Sequence, residues 1–401
     1  MASTSWIVFG LICLQGTLGG LTRSSRLHPD WGLNVVEMLE RQGYPVEVHH
    51  VTTPDGYILG MQRVPYSPGI NEDVQNKPVV LLMHGLGSSA ADFVNMGPGR
   101  SLTYHLAERG YDVWLGNARG TTWSRNHTTL DPELQDFWLF SWNEIGTIDL
   151  PAMIDYITET TQQEKIFYIG HSQGTTSFFV MGAEKPEYND KIRLMAALAP
   201  AAYIPNLLSP LYRILSPYWE DLLPYFDEYS IWELGPHSSL IDTIGKTFCD
   251  EGIPYQEICS NLMFIFTGFS YDQMDANMIP VMMSNAPAGA SIRQYVHYAQ
   301  SIKEGFFRKY DFGMVQNLNI YGQATPPDYD LGKVSAPVAF FYSANDWLVH
   351  LTDAARTKSE LGNVVLDHLV EHKTFSHIDF LFGKNATEYV YNYLFDVFEQ
   401  Y

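Results

Sequence analysis

The 401-residue sequence predicts an α/β fold, a mostly parallel central sheet with helices on both faces and a mainly helical cap inserted into it. Three observations carry this. Short apolar, β-rich runs alternate with helix-patterned stretches from Tyr44 to Pro200, as parallel strands joined by crossover helices require. One run, Lys165 to Ile169, leads directly into Gly170-His171-Ser172-Gln173-Gly174, and helix-forming residues follow to Ala183. The alternation stops at Ala201 and resumes at Pro337, so a differently built segment interrupts one sheet.

The elements follow in chain order. Residues 21–43 read as a mixed leader, with Arg23-Ser24-Ser25-Arg26 as linker. Val46 to Val51 and Tyr57 to Met61 flank the turn residues Thr53-Pro54-Asp55-Gly56, which predicts a hairpin. His49 and His50 alternate faces of its first strand and read as structural. After a polar loop from Pro68 to Lys77, Val79 to Met83 is a buried strand ending in His84-Gly85-Leu86-Gly87. Ser101 to Arg109 reads as helix, Tyr111 to Leu115 as strand, Trp142 to Thr160 as a long helix interrupted by Pro151, and Arg193 to Pro200 as another strand. Residues 201–325, rich in Pro, Tyr, Phe, Leu and Met, read as the cap, with helix-like stretches such as Leu207 to Leu215 and no strand order. Pro337 to Tyr342 and Val364 to Val370 are then strands, Thr352 to Leu361 and Ala386 to Glu399 helices. The core is therefore expected to comprise 21–200 and 326–401.

A net charge of −21 argues against nucleic-acid binding, which needs a basic face, and against electrostatic docking on anionic lipid. Residues 1–20 carry no charge, hold an apolar run from Trp6 to Leu14 and end in small residues, so they read as a secretory signal peptide cleaved near Gly19 or Gly20. No later segment is long and apolar enough for a transmembrane anchor. Asn126-His127-Thr128 and Asn385-Ala386-Thr387 are glycosylation sequons, in keeping with secretion. After cleavage Cys249 and Cys259 remain, with nine residues between them; in an oxidising compartment they are expected to pair, contributing about 2.5–3 kcal/mol through loop entropy. Two cysteines without a nearby histidine pair do not make a zinc site, and no metal or other cofactor is expected.

The strand, G-x-S-x-G and helix succession is the context of a nucleophile elbow. A serine hydroxyl attacks only when exposed on a sharp turn and deprotonated by a neighbouring base; small residues at 170 and 174 let strand and helix approach around it. The order serine, acid, histidine narrows the partners. Of the late histidines, His350 and His368 fall in or beside regular elements. His377 lies in a loop between the last strand and the last helix, where it can swing over the sheet, and His372 is its runner-up. Asp346 follows strand 337–342 at its carboxyl end, where such sheets build their sites; alone it would read as a turn or N-cap aspartate. Asp353 belongs to the next helix and Asp330 precedes the strand. Ser172, Asp346 and His377 are thus the expected catalytic residues, and the backbone N–H groups of Gln173 and Leu86 the expected oxyanion donors, each worth on the order of 3 kcal/mol. His84 and His171 are expected to support turns.

The chain resembles the acid lipase family of gastric and lysosomal lipases. The resemblance rests on Asn34 to Arg63, His84-Gly85-Leu86, Gly110 to Gly120 (GYDVWLGNARG), Asp149-Leu150-Pro151-Ala152 and Gly170 to Thr176. It continues through Cys259-Ser260-Asn261, Asn285-Ala286-Pro287-Ala288-Gly289 and Ser376 to Phe380. It implies an α/β-hydrolase core, a cap with a movable lid, and hydrolysis of triacylglycerol or cholesteryl ester at an oil–water or membrane interface. It also implies Ser172, Asp346 and His377 as triad and Leu86 and Gln173 as oxyanion donors. Relatives usually carry a third cysteine where this chain has Thr267. The destination implied is the extracellular space or gut lumen, with the lysosome as the alternative. Two rivals remain: a carboxylesterase for short soluble esters, and a non-catalytic lipid-binding protein on a hydrolase scaffold, which should show a broken triad.

Overall fold

A computed structural model describes residues 28–69, 76–235 and 263–401. The expected signal peptide, Cys249 and Cys259 lie outside the described residues. The chain builds one nine-stranded sheet from β1 (Glu47–Thr52), β2 (Tyr57–Val64), β3 (Val79–Met83), β4 (Asp112–Gly116), β5 (Asn126–His127), β6 (Ile166–His171), β7 (Ile192–Leu198), β10 (Val338–Ser343) and β11 (Val364–Val370). A separate antiparallel pair joins β8 (Glu233–Leu234) to β9 (Ala290–Ser291). The sheet order is β1-β2-β4-β3-β6-β7-β10-β11, with β5 on β2. From β4 to β11 all neighbours run parallel, while β1, β2 and β5 add an antiparallel edge that begins with the expected hairpin.

Inner strands such as β3 and β6 are buried throughout because both faces are covered. Their pleat still divides the core. Val80, Leu82, Phe167 and Ile169 enter one cluster, and Val79, Leu81, Met83, Ile166 and Tyr168 enter the other. The helix Gln173–Glu184, buried along nearly its whole length, packs on the second face behind β6.

Three readings of the sequence need correction. The leader 21–43 contains a helix, Val35–Arg41, closed by a capping box: Asn34 Oδ1 accepts the N–H groups of Val36 (2.9 Å) and Glu37 (3.1 Å), and Glu37 Oε2 accepts that of Asn34 (2.8 Å). Its Val35, Met38 and Leu39 enter the core. Pro151 does not break its helix, which runs on from Trp142–Glu144 through a π-turn, Ile145–Asp149, into Leu150–Thr161. Within that turn the Leu150 N–H reaches back to the Ile145 carbonyl, and the wider turn seats a residue that has no N–H to give. Residues 201–325 do hold strand, the short β8–β9 pair, and the helix expected at 207–215 begins at Pro210. Among the described residues no helix is long and apolar enough to cross a membrane.

Candidate active site

β6 delivers Ser172 on a strained turn. Its φ of 52° and ψ of −116° lie where non-glycine residues rarely sit, and the helix begins at the next residue. The surrounding glycines are required by contact. A Cβ on Gly170 would stand 2.7 Å from the Gly174 carbonyl carbon, one on Gly174 only 2.2 Å from the Met83 oxygen, and one on Gly85 3.3 Å from Ser172 Cβ. The elbow is therefore pressed against the end of β3, beside the loop that carries Leu86. Gln173 opens its helix, so its N–H has no intrahelical carbonyl to bond.

Asp346 follows β10, 1% exposed, with both carboxylate oxygens engaged. Oδ1 accepts the N–H groups of Leu348 and Val349, each at 2.8 Å, and Oδ2 accepts from His377 Nδ1 at 2.8 Å. That bond fixes the proton on Nδ1 and leaves Nε2 as the basic nitrogen. Ser172 and His377 line the same cavity, of about 460 Å³, whose wall is overwhelmingly apolar and includes Leu86, Ile204, Leu207, Phe266 and Met282. Asp92 is the one carboxylate in that wall among the described residues.

Two contacts that the sequence reading did not name hold the histidine loop. The Thr267 carbonyl accepts the N–H of His377 and that of Trp347, both at 3.3 Å, and so ties base loop to acid loop. His171 Nε2 donates to the His377 carbonyl at 2.9 Å. Burial, reinforced by His377, pushes His171 down to about 3, so it acts as a neutral donor. His84 is likewise pushed to about 4 by burial; its Nδ1 donates to the Gly85 carbonyl (2.8 Å) and its Nε2 accepts the Ala118 N–H (3.1 Å). Both support turns, as expected. A main-chain carbonyl at 267 leaves no trace in side-chain identity, which is why Thr267 could be noticed only as a departure from a cysteine.

The competing residues are engaged elsewhere. His350 caps the helix Leu351–Glu360, His368 donates to the Tyr389 carbonyl (2.8 Å), and His372 pairs with Asp272 (2.9 Å). Asp353 accepts from the backbone and side chain of Asn206, and Asp330 caps a short turn at Gly332. His49 packs on Trp114 and hydrogen-bonds the Tyr156 hydroxyl at 3.0 Å. Of the sequon asparagines, Asn126 is exposed in β5 and Asn385 half-buried before the last helix. Among the described residues no three His, Cys, Asp or Glu side chains gather as metal ligands.

The segment 285–289 packs against the site: the Ala288 N–H donates to the Gly87 carbonyl at 2.8 Å, behind Leu86. From the helix Ile292–Glu304, Gln294 Oε1 accepts from Gln173 Nε2 at 2.7 Å. Both oxyanion candidates are thus braced by residues from the 201–325 segment.

Comparison with known proteins agrees with this architecture. Residues 35–97 match a family described as a partial α/β-hydrolase lipase region, and residues 78–233 one described as the α/β-hydrolase fold. Lipase 3 of Drosophila melanogaster is 43% identical, over 96% of this chain and 96% of its own. Gastric triacylglycerol lipase of Rattus norvegicus is 37% identical, over 91% of each chain. The human lysosomal acid lipase/cholesteryl ester hydrolase is 34% identical, over 96% of this chain and 95% of its own. A solved structure from Sulfolobus solfataricus aligns with a TM-score of 0.59 at 14% identity, covering 88% of this chain and 94% of that one, a likeness of fold alone. With identity of this order running end to end, the chain belongs to the acid lipase family of the α/β-hydrolase superfamily and is a carboxylic ester hydrolase.

Proposed function

We propose that the chain is a lipase for neutral lipid esters, triacylglycerol first and cholesteryl ester second, working through an acyl-enzyme on Ser172. Ser172 Oγ attacks the ester carbonyl while His377 Nε2 takes its proton; that proton then passes to the leaving alcohol. Asp346 holds the imidazole by Nδ1 and offsets the positive charge that develops on it. The N–H groups of Leu86 and Gln173 receive the oxyanion, and water repeats the sequence to release the fatty acid. Residues 201–325 form the cap over this site.

The observation that carries the reading is the apolar cavity of about 460 Å³ with Ser172 and His377 in its wall. A site for small soluble esters needs no such length of hydrocarbon surface. The names of the relatives favour the same substrates, and gastric and lysosomal relatives support passage through the secretory route, to the extracellular space or gut lumen or else to the lysosome.

Emulsified triolein, cholesteryl oleate and p-nitrophenyl butyrate, assayed with and without a serine-directed phosphonate, test the proposal. Turnover of triolein, abolished as the phosphonate labels Ser172, is expected. Turnover of butyrate alone would make the protein a carboxylesterase, and absence of label on folded protein would make it a non-catalytic binder.

A further inference from the structure

Asp92 is out of place in the cavity it lines. It sits in the turn Ala90–Phe93, directly after the loop that carries Leu86, and is 6% exposed. Its neighbours Ala91 and Phe93 belong to the same apolar cluster as Met282 and Phe382, which also line the cavity. Among the described residues no cation pairs with its carboxyl. Burial pushes the group up to about 7, and the neighbouring Ser88 hydroxyl alone opposes that shift.

Among the described residues the surroundings offer no charge to balance it. The turn packs on β3, β4 and the helix Asp379–Phe382. β3 contains no titratable residue; in β4, Asp112 is paired with Arg63 at 2.7 Å. In the helix, Asp379 is occupied by the Ser376 N–H (2.6 Å) and the Ser270 hydroxyl. Within the cavity the titratable groups are His171, His377, Tyr212 and Tyr298, of which His171 stays neutral. An alkyl chain laid over a protonated Asp92 meets a small, uncharged wall. Laid over the carboxylate, it must strip water from an ion without replacing it, which is far costlier.

We propose that Asp92 determines the acyl-chain specificity of this site: as the neutral acid it forms part of the wall along which a long chain lies, and as the carboxylate it excludes such a chain while admitting short acyl groups. The inference rests on the ester-hydrolase reading of the cavity. Chain-length preference is then itself a function of pH. Any change in general catalysis by His377 acts on every ester alike and cancels when two esters with the same leaving group are compared.

The test is kcat/KM for p-nitrophenyl laurate and p-nitrophenyl butyrate between pH 5.5 and 8.5, on the wild-type chain and on Asp92→Asn, which keeps the shape and loses the proton. In the wild type the laurate-to-butyrate ratio should fall about tenfold across that range, with its midpoint near 7; in Asp92→Asn it should be flat. Asp92→Ser serves where the asparagine variant does not melt cooperatively. A flat ratio in the wild type, or an unchanged fall in a folded variant, overturns the inference alone. Hydrolysis of neither ester overturns the reading of the site and this inference together.

Discussion

Replacing Gly174 by alanine tests whether the close approach of helix and strand is what aligns the proposed oxyanion donors, Leu86 and Gln173. A Cβ there would lie 2.2 Å from the Met83 oxygen, 2.8 Å from the Met83 carbon and 3.2 Å from the His84 oxygen. All three atoms are main chain, so no rotamer change relieves the clash. Restoring van der Waals distance requires the start of the helix and the end of β3 to part by about 1 Å. Residue 174 is helical without a positive φ, so alanine's own preference pulls the other way by about 1 kcal/mol. Overpacking costs about 1–3 kcal/mol, which leaves a net loss of at most about 2 kcal/mol, or a few degrees in Tm.

The effect on chemistry should be larger. Met83 leads straight into His84-Gly85-Leu86, so parting β3 from the elbow moves the Leu86 N–H away from the Gln173 N–H. A misplacement of that size costs on the order of a hundredfold. The control is Gly182→Ala, later in the same helix, where the added Cβ meets Asn189 Oδ1 at 3.1 Å and Val334 Cγ2 at 3.1 Å, side-chain atoms that can give way. Thermal melts and kcat on p-nitrophenyl butyrate separate the two variants. Gly174→Ala should lose about two orders of magnitude in kcat for a few degrees of Tm, while Gly182→Ala stays within about twofold. A folded Gly174→Ala enzyme within threefold of wild type would refute the reasoning.

Two further substitutions probe the frame of the fold. Arg119 is 1% exposed, pairs through Nη2 with Asp149 Oδ1 and through Nη1 with Asp55 Oδ2, both at 2.6 Å, and lies 4.1 Å over the Tyr57 ring. Arg119→Met strands the fully buried Asp149 without its cation and should cost about 3–5 kcal/mol in urea unfolding; a loss below 1 kcal/mol would show the cluster to be dispensable. His297 stacks on Trp142 at 3.6 Å, and burial pushes it to about 3. The folded protein therefore refuses a proton that the unfolded chain accepts below about 6.5, and the stability contributed by this residue falls as pH drops from there towards 3. The advantage of wild type over His297→Gln should accordingly shrink by about 2 kcal/mol between pH 7 and pH 5, and an advantage independent of pH would refute the assignment.

What the sequence revealed and what it hid divide along a physical line. The inner strands were legible because both faces of a parallel sheet are covered, as in Val79–Met83, while the edge strand Val364–Val370 was legible from its apolar run although every second residue of its first six is exposed. The elbow was legible because its glycines are sterically compelled. The helix Val35–Arg41 was missed although Asn34 and Glu37 spell its capping box, because seven residues make too short a run for periodicity to stand out. Pro151 misled because a π-turn, formed where Gly146 crosses close to Val180 and the Ser177 carbonyl, is a tertiary event without a local signature. Asp92 escaped for the same kind of reason. An aspartate in a polar-looking Ser88-Ser89-Ala90-Ala91-Asp92 stretch reads as surface until the fold turns it into a cavity.

The strand order explains why His377, the proposed base, needs more support than Ser172, the proposed nucleophile. Leu86 follows β3 and Ser172 follows β6, which are neighbours, so their geometry is fixed by one ladder of hydrogen bonds. Asp346 follows β10 and His377 follows β11, two and three strands from β6. At about 4.8 Å per strand, the histidine loop must reach back about 14 Å across the sheet. Residues 371–378 are long enough to do so, but no ladder holds them there. The Thr267 carbonyl and the His171 imidazole provide the hold, one from the inserted segment and one from the elbow itself. Thr267 bonds Trp347 as well, so a shift of the segment around 267 displaces acid and base loops together while leaving the bond between Asp346 and His377 intact. The distance between His377 and Ser172 therefore depends on these two contacts, because the sheet by itself does not fix it.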